Sequence, residues 1–327
     1  MKDQDGAELC FPQLLNVSCK KPKTSQTDIV LMYLLFFTSV FTVTLNLLVI
    51  ISVSHFRQLH TPSNLLILSL AVSDSLLGLV TIVEAHRQTD CWFVGDLMCS
   101  LHVYVASISL SASVGVMVLI SVDRYVAICD PLHYPTRVTV TRVKIIVCVC
   151  WMCAVAYNGL IYKDNLLEPR QFNSCYGECV VAIIYILAVL DIILSFVSPI
   201  TVIIILYMRV FVTAVSQARA MRSYVAAVTF QCSGTVTTKK SELKAARTLG
   251  VVVLVFLMCF CPYFCLSLIQ VDSLSGLPAA SGVFMMCISP CLNPVIYALF
   301  YPWFRKALRL IFSLQILQPG SRDTNML

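Results

Sequence analysis

Residues 180–206 read VVAIIYILAVLDIILSFVSPITVIIIL, an apolar run with a single carboxylate, Asp191, near its middle. A helix needs ~20 apolar residues to cross a bilayer, and this run exceeds that length. Lipid offers no partner for exposed backbone N–H and C=O groups, so the run must be helical. Six further stretches share its character, at 29–54, 63–84, 97–121, 142–162, 246–270 and 277–301. The whole-chain composition agrees: 58% apolar residues, 12% charged residues and a mean hydropathy of +0.85 exclude a soluble domain. The expected fold is an all-α membrane protein, a seven-transmembrane helix bundle followed by a short amphipathic eighth helix.

Three parts follow: an extracellular amino-terminal segment 1–28, the bundle 29–301, and an amphipathic helix with a cytoplasmic tail at 302–327. No soluble catalytic module fits in the remaining loops, and nothing in the chain implies covalent chemistry or an enzyme. The first 28 residues lack the apolar core of a secretory signal, so the first span is expected to act as the targeting signal itself. In 302–313, Trp303, Phe304, Leu308, Ile311 and Phe312 form an apolar face opposite Arg305, Lys306 and Arg309, the pattern of a helix lying on the inner leaflet.

Basic residues between the spans collect on one side, at Arg57, Arg124, Arg137, Arg142, Lys144, Arg209, Lys239, Lys240 and Arg305 among others, and that side should be cytoplasmic. An odd number of spans then leaves the amino terminus outside, where Asn16-Val17-Ser18 is a glycosylation acceptor. The net charge of +6 is read as this topology signal together with contact to membrane lipid, not as affinity for nucleic acid. The same topology sorts the 16 cysteines. Cys10, Cys19, Cys91, Cys99, Cys175 and Cys179 fall outside, where disulfides form, and residue chemistry alone leaves their pairing open. The others are read as packing residues in or below the spans, since no Cys and His cluster has zinc spacing.

Asp191 is the strongest candidate for a binding residue. An ionised acid in hydrocarbon costs ~3 kcal/mol or more, so such residues face cavities or partners, and the natural partner is a cation. The competing reading is internal pairing with Arg87, Lys163 or Arg170, or protonation. Other polar residues recur inside the spans: Asn46, Asp74, Asn293 and, at the inner end of the third, the triplet Asp123-Arg124-Tyr125. Asp74 with Ser113, Ser289 and Asn293 would gather around water or a small cation such as sodium, the only metal expected. Arg124 adjoins Asp123 and lies within reach of Glu242, which would latch two helices on the cytoplasmic side.

Asn46, Asp74, Asp123-Arg124-Tyr125, Trp151, Pro199, Phe256 with Cys259 and Pro262, and Asn293-Pro294-Val295-Ile296-Tyr297 fall one per span in order. The chain resembles a rhodopsin-like G-protein-coupled receptor over about residues 29–313. Lys244-Ala245-Ala246-Arg247-Thr248-Leu249-Gly250, Cys129-Asp130-Pro131-Leu132 and Tyr301-Pro302-Trp303-Phe304 are similar to the trace-amine-associated receptor family. The resemblance implies bridges Cys99–Cys179, Cys10–Cys175 and Cys19–Cys91, which would hold the amino terminus as a lid. It also implies switching through Phe256, Phe260, Pro262, Arg124, Pro294 and Tyr297, a heterotrimeric G-protein partner of the stimulatory type that raises cyclic AMP, olfactory expression and a plasma-membrane location.

Departures from that family bear on the ligand. The third-span position that usually carries an aspartate for the ligand amine is Ala106, while Asp191 stands eight residues before Pro199, as in a branch whose amine-binding acid sits on the fifth helix. A small amine would then be held by Asp191, with Ser195 one turn away, aromatic walls from Tyr263, Phe264 and Phe260, a polar contact from Ser107, a void at Ala106, and Glu84 as a second acid for a diamine. Phe260 replaces the usual tryptophan, Cys287 a tyrosine, and Ser289-Pro290 the family's Asn-Ser, changes that bear on signalling strength. The rival readings are a neurotransmitter-type amine receptor, disfavoured by Ala106, a silent receptor, and a transporter, for which internal repeats are not evident.

Overall fold

The computed structural model describes residues 8–14, 17–22, 24–171, 173–227, 250–251, 254–262, 264 and 277–326; Asn16, Glu242 and Tyr263 lie outside that set. The described chain is a bundle of long helices: α1 Gln26–His55, α2 Pro62–Thr89, α3 Asp96–Cys129 and α4 Val140–Ile161. α5 is composite, with Tyr185–Ile192 followed by a π-helical turn Ile193–Val197 and then Ser198–Ala227. α6 is helical at 250–251, 254–262 and 264. α7 is Leu277–Phe300 and α8 is Pro302–Phe312.

Local chemistry sets several of these boundaries. Ser25 and Asp28 form a reciprocal capping box at the start of α1, in which the Ser25 N–H donates to Asp28 Oδ2 at 2.8 Å. Thr61 caps α2 ahead of Pro62, a residue suited to the first helical turn because it has no N–H to leave unpaired. α7 and α8 meet at 101°, with Pro302 opening α8. Arg305 Nη1 donates to the carbonyls of Ala298 and Leu299 at 3.1 and 2.9 Å, satisfying acceptors that the end of α7 leaves orphaned. On α8, Trp303, Phe304 and Ala307 are buried. The segment after it folds back beneath α1: Asp323 pairs with Arg57, His55 Nε2 bonds Ser321 Oγ at 2.9 Å, and Met326 is buried.

The bundle is inverted with respect to a water-soluble protein. Large apolar side chains such as Phe41, Met152 and Phe211 point outward and are more than half exposed, whereas Asn46, Asp74 and Asn293 are buried inside. That arrangement suits a hydrocarbon solvent, in which outward apolar groups cost nothing and polar groups must find partners within. The protein is therefore a multi-pass membrane protein.

The fifth span begins at Tyr185, five residues later than the apolar run suggests. Side chains have taken the backbone groups that a helix over 180–184 would use. The Val180 N–H donates to Asn173 Oδ1 at 2.9 Å, and the Ala182 carbonyl accepts from Asn165 Nδ2 at 2.9 Å. Cys179, bonded to Cys99 at the start of α3, anchors this extended stretch.

Two of the expected disulfides are exchanged. Cys99–Cys179 forms as the resemblance implies, but Cys10 pairs with Cys91 and Cys19 with Cys175, in place of Cys10–Cys175 and Cys19–Cys91. Backbone pairing is the reason. The Tyr176 N–H donates to Val17 O at 2.7 Å and the Cys19 N–H to Tyr176 O at 2.9 Å, which puts Cys19 beside Cys175. The Trp92 N–H donates to Gly177 O at 2.9 Å, bringing Cys91 to the far side of the same turn, where Cys10 packs on Gly177. The amino-terminal segment is thus tied to both loops on its face of the bundle, as a lid would require. Lys21 adds an ion pair to Asp90 at 3.3 Å. The Cys91 amide, more than Lys21, holds the Asp90 carboxyl below its usual range.

Gly177 has φ +101°, and a Cβ there would lie 2.7 Å from Cys10 Cβ, whereas at Gly95, with φ +93°, a Cβ would meet nothing within 4 Å. Both Gly177→Ala and Gly95→Ala carry the ~1–2 kcal/mol left-handed backbone cost, but only the first displaces a disulfide. Flow cytometry of an amino-terminal epitope should show a clear loss of surface receptor for Gly177→Ala and a smaller one for Gly95→Ala.

Candidate functional site

Asp191 lies in the last turn of α5 before the π-helical segment. Pro199 has no N–H to donate to the Ser195 carbonyl, and the Ser198 N–H reaches back five residues to Ile193 O. Such π turns are uncommon and recur at functional sites. Ser195 sits within the turn, and its Oγ donates to Asp191 Oδ1 at 2.7 Å. Tyr157 of α4 donates its hydroxyl to the same oxygen at 2.8 Å. Among the described residues no hydrogen bond reaches Asp191 Oδ2, and no cationic side chain pairs with the carboxylate.

None of the candidate internal cations pairs with Asp191: two are engaged elsewhere and the third is exposed. Arg87 grips Glu84 through Nε at 2.8 Å and Nη2 at 2.6 Å, and its Nη1 donates to Cys179 O at 3.0 Å. Arg170 lies over the Tyr176 ring, 3.7 Å from its centre. Lys163 is exposed in the short helix Lys163–Leu167 after α4.

Asp191 and Ser195 line a cavity of about 110 Å³ together with Ser107, Leu110, Val114 and Phe264. The Ser107 hydroxyl donates to Tyr162 Oη at 2.9 Å, and Phe264 stacks on Phe196 with ring centres 4.0 Å apart. Of the expected site residues, the structure therefore gathers Asp191, Ser195, Ser107 and Phe264. Phe260 is buried one turn deeper, stacked on Phe256 at 4.3 Å, and is not part of this wall. Ala106 is half-buried on α3 and likewise does not line the cavity. Glu84 is not a free second acid, being held by Arg87 and, at 3.2 Å, by His102 Nε2.

The sequence reading missed the α4 side of this chamber. Asn158 and Tyr162 line it, Tyr157 reaches Asp191 through its hydroxyl, and Asn158 Nδ2 donates to Ser111 Oγ at 3.0 Å. The signal was the Tyr157-Asn158 pair inside an apolar span, where buried polar groups require partners.

A second polar cluster lies deeper. Asp74 of α2 accepts from Ser113 Oγ at 3.2 Å and from Asn293 Nδ2 at 2.8 Å. Ser289 is buried nearby but bonds the Cys259 thiol. Asn46 bridges α1 to α7 through the Pro290 carbonyl at 3.0 Å. That carbonyl is free because Pro294, four residues on, cannot donate to it. Asn293 Oδ1 is buried without a hydrogen-bond partner among the described residues. The acceptor-rich arrangement of a carboxylate, a hydroxyl and an unpaired amide oxygen fits a small hard cation or water.

At the opposite end of α3 from its disulfide, Arg124 is paired with Asp123, and its Nη2 also donates to Ser63 of α2. Asp123 is gripped in addition by Ser63 Oγ at 2.9 Å and Tyr134 Oη at 2.8 Å. Burial, and then the Asp123 carboxylate, push the Tyr134 phenol above its usual range, so it stays a donor.

The seven-transmembrane receptor (rhodopsin family) pattern matches residues 45–297 of this chain. Trace amine-associated receptor 13c of Danio rerio is 36% identical over 99% of this chain and 98% of its own length. Trace amine-associated receptor 8a of Rattus norvegicus is 36% identical over 99% and 97%, and trace amine-associated receptor 6 of Homo sapiens 35% over 98% and 96%. The chain belongs to the trace amine-associated receptor family. It is a rhodopsin-family G-protein-coupled receptor of the plasma membrane, and not an enzyme.

Within the receptor, one residue near Arg124 escaped the sequence reading. Tyr207 of α5 is buried with a hydroxyl that has no hydrogen-bond partner among the described residues, as is Tyr297 of α7, and both lie close enough to the Asp123–Arg124 or Asp74 charges to feel them. Nothing in the apolar run around Tyr207 distinguishes it from a packing aromatic.

Removing a donor from a buried carboxylate costs ~1–3 kcal/mol, because the acceptor left behind is still desolvated. Asn293→Ala is expected to lower the melting temperature of the purified receptor by several degrees, whereas Ser289→Ala, which takes no donor from Asp74, should shift it less.

Proposed function

We propose that this receptor senses small amines and holds the ligand ammonium at Asp191 of α5, the third-helix acid being replaced by Ala106. The observation that carries this reading is a carboxylate within the membrane that lines a cavity, is oriented by two hydroxyls and has no cationic partner among the described residues. A hydrogen bond between an ammonium and such a carboxylate contributes ~1.5–3 kcal/mol. The names of the relatives support an amine as the ligand class. A cavity of about 110 Å³ is small beside the ~300–1,000 Å³ of ordinary ligand pockets, which favours a compact polar head over a large rigid one. Because Glu84 is occupied by Arg87, a diamine bridging Glu84 and Asp191 is not carried further.

The amino-terminal segment 1–28 is assigned to the outside and the segment 302–327 to the cytoplasm, supported by three disulfides on the amino-terminal face and by the basic residues on the other. Asn16 is then a glycosylation site. The Asp74 cluster, with Ser113 and Asn293, would hold a sodium ion that favours the inactive bundle. The cytoplasmic latch is placed at Arg124, whose expected sixth-span partner Glu242 lies outside the described residues and which, with Asp123, is tied to Ser63 of α2 and Tyr134; its opening admits a stimulatory G protein that raises cyclic AMP. Olfactory expression follows from the family resemblance alone.

Asp191→Ala should lower amine potency in a cyclic AMP assay by ~10- to 100-fold at matched surface expression, from the lost charge-assisted bond. An Asp191→Ala response equal to wild type would make the acid structural. Ala106→Asp is the companion variant, and new agonists for it would mark the vacated third-helix position. Tyr134→Phe removes one grip on Asp123 and is expected to raise ligand-free cyclic AMP by up to about tenfold. An unchanged basal level would remove Tyr134 from the latch.

A further inference from the structure

Beside the Asp191 chamber lies a larger cleft of about 350 Å³, bounded by α3, α4 and α5. The two spaces share Ser111, Val114 and Ser195 as a common wall. Tyr157, which donates to Asp191, lines the cleft as well, so its polar end begins at the very groups that orient the carboxylate. From Tyr157 the cleft runs along α4 past Ala154 to Cys150, seven residues or ~10 Å toward the other face of the membrane. Beyond its polar end the lining is apolar.

Two features of packing shape this space. α4 and α5 each pack on α3 rather than on one another, leaving the interval between them open. On the α3 side stands Gly115, where a Cβ would lie only 2.5 Å from Cys150 Sγ, so the backbone of α3 and the α4 thiol approach as closely as they do only because Gly115 has no side chain. At the rim, Cys153 is exposed and Leu194 is 55% exposed, which places the mouth of the cleft on the lipid-facing side of the bundle.

Resting on the assignment of Asp191 as the ammonium site, we infer that the ligands are amines with an extended apolar substituent, and that this substituent passes Ser195 into the cleft between α4 and α5. The chamber holds the ammonium and little else. The cleft has the volume of an ordinary ligand pocket, adjoins the chamber across Ser111, Val114 and Ser195, and is largely apolar and about as long as a medium alkyl chain. A chain lying there removes methylenes from water, and potency should rise by up to about fourfold per buried methylene.

The experiment records cyclic AMP potency for straight-chain primary amines from ethylamine to decylamine on the full-length receptor. Wild type is compared with Ala154→Leu, which adds bulk inside the cleft, and with Leu194→Ala, which trims its rim; neither residue lines the Asp191 chamber. In wild type, potency is expected to climb with chain length through the medium chains. Ala154→Leu should cut the potency of medium and long chains at least tenfold and leave the shortest active amine within about twofold, and Leu194→Ala should keep or lengthen the preferred chain. Equal potency ratios across chain lengths in both variants would overturn the inference, as would a uniform loss in both at matched surface expression. A receptor that answers short amines through Asp191 without any chain-length dependence would overturn this inference and leave the amine reading standing; one silent to every amine would overturn both.

Discussion

A polar group inside a hydrocarbon bilayer must find its partner within the protein, and the architecture of this receptor is organised around that constraint. Asp74, buried at 1% exposure, draws Ser113 of α3 and Asn293 of α7 onto α2. Asn46 then joins α1 to α7 through a carbonyl that Pro294 leaves free. Four helices are thereby fixed around one carboxylate. Trp151 of α4 makes a similar tie, its indole N–H donating to Ser69 of α2 at 3.0 Å. Apolar contact alone does not select one arrangement of such helices, because lipid tails are as apolar as leucine, so the polar pairs carry much of the specificity.

Asp191 obeys the same constraint with one difference. Its oxygen Oδ1 is served by Tyr157 and Ser195, but the described residues supply no positive charge, and the unmet need falls beside a cavity. The π turn at Ile193–Val197 is part of how this comes about. Pro199 interrupts the regular ladder, and the turn accommodates the interruption at the level where Ser195 meets Asp191. On the amino-terminal face, two disulfides tie the amino-terminal segment to the loops before α3 and α5, and a third ties the latter loop to α3, so that face is held by covalent bonds while Asp191 is held by hydrogen bonds.

Below, Asp123 is held by three groups at once, Arg124, Ser63 and Tyr134, which come from α3, α2 and the short helix Tyr134–Arg137. Two buried tyrosine hydroxyls, on Tyr207 and Tyr297, have no partner among the described residues between this latch and the Asp74 cluster. Buried donors left unpaired are costly, so these hydroxyls favour any rearrangement that brings them a partner. A latch that is well satisfied next to groups that are not describes a bundle with a second packing within reach.

The sequence by itself determined the membrane, the helices and the position of the acids, because the cost of exposing backbone or charge to lipid depends only on local composition and length. α1, α2, α3, α4 and α7 fall within a few residues of the apolar runs, apart from the extension of α3 to Cys129. Asp74 and Asp191 were legible as isolated charges in those runs, and Asp123 as part of the triplet Asp123-Arg124-Tyr125 just past the third. Tertiary structure alone decided which groups meet. The exchange of two disulfides followed from backbone pairing around Tyr176 and Gly177, and the late start of α5 from side-chain amides on loops distant in sequence. The occupation of Glu84 by Arg87 and the α4 wall of Tyr157 and Asn158 depended on how helices rotate against one another. Rotation and register are set by the sum of many weak contacts between segments far apart in the chain, and no single stretch of sequence carries that sum.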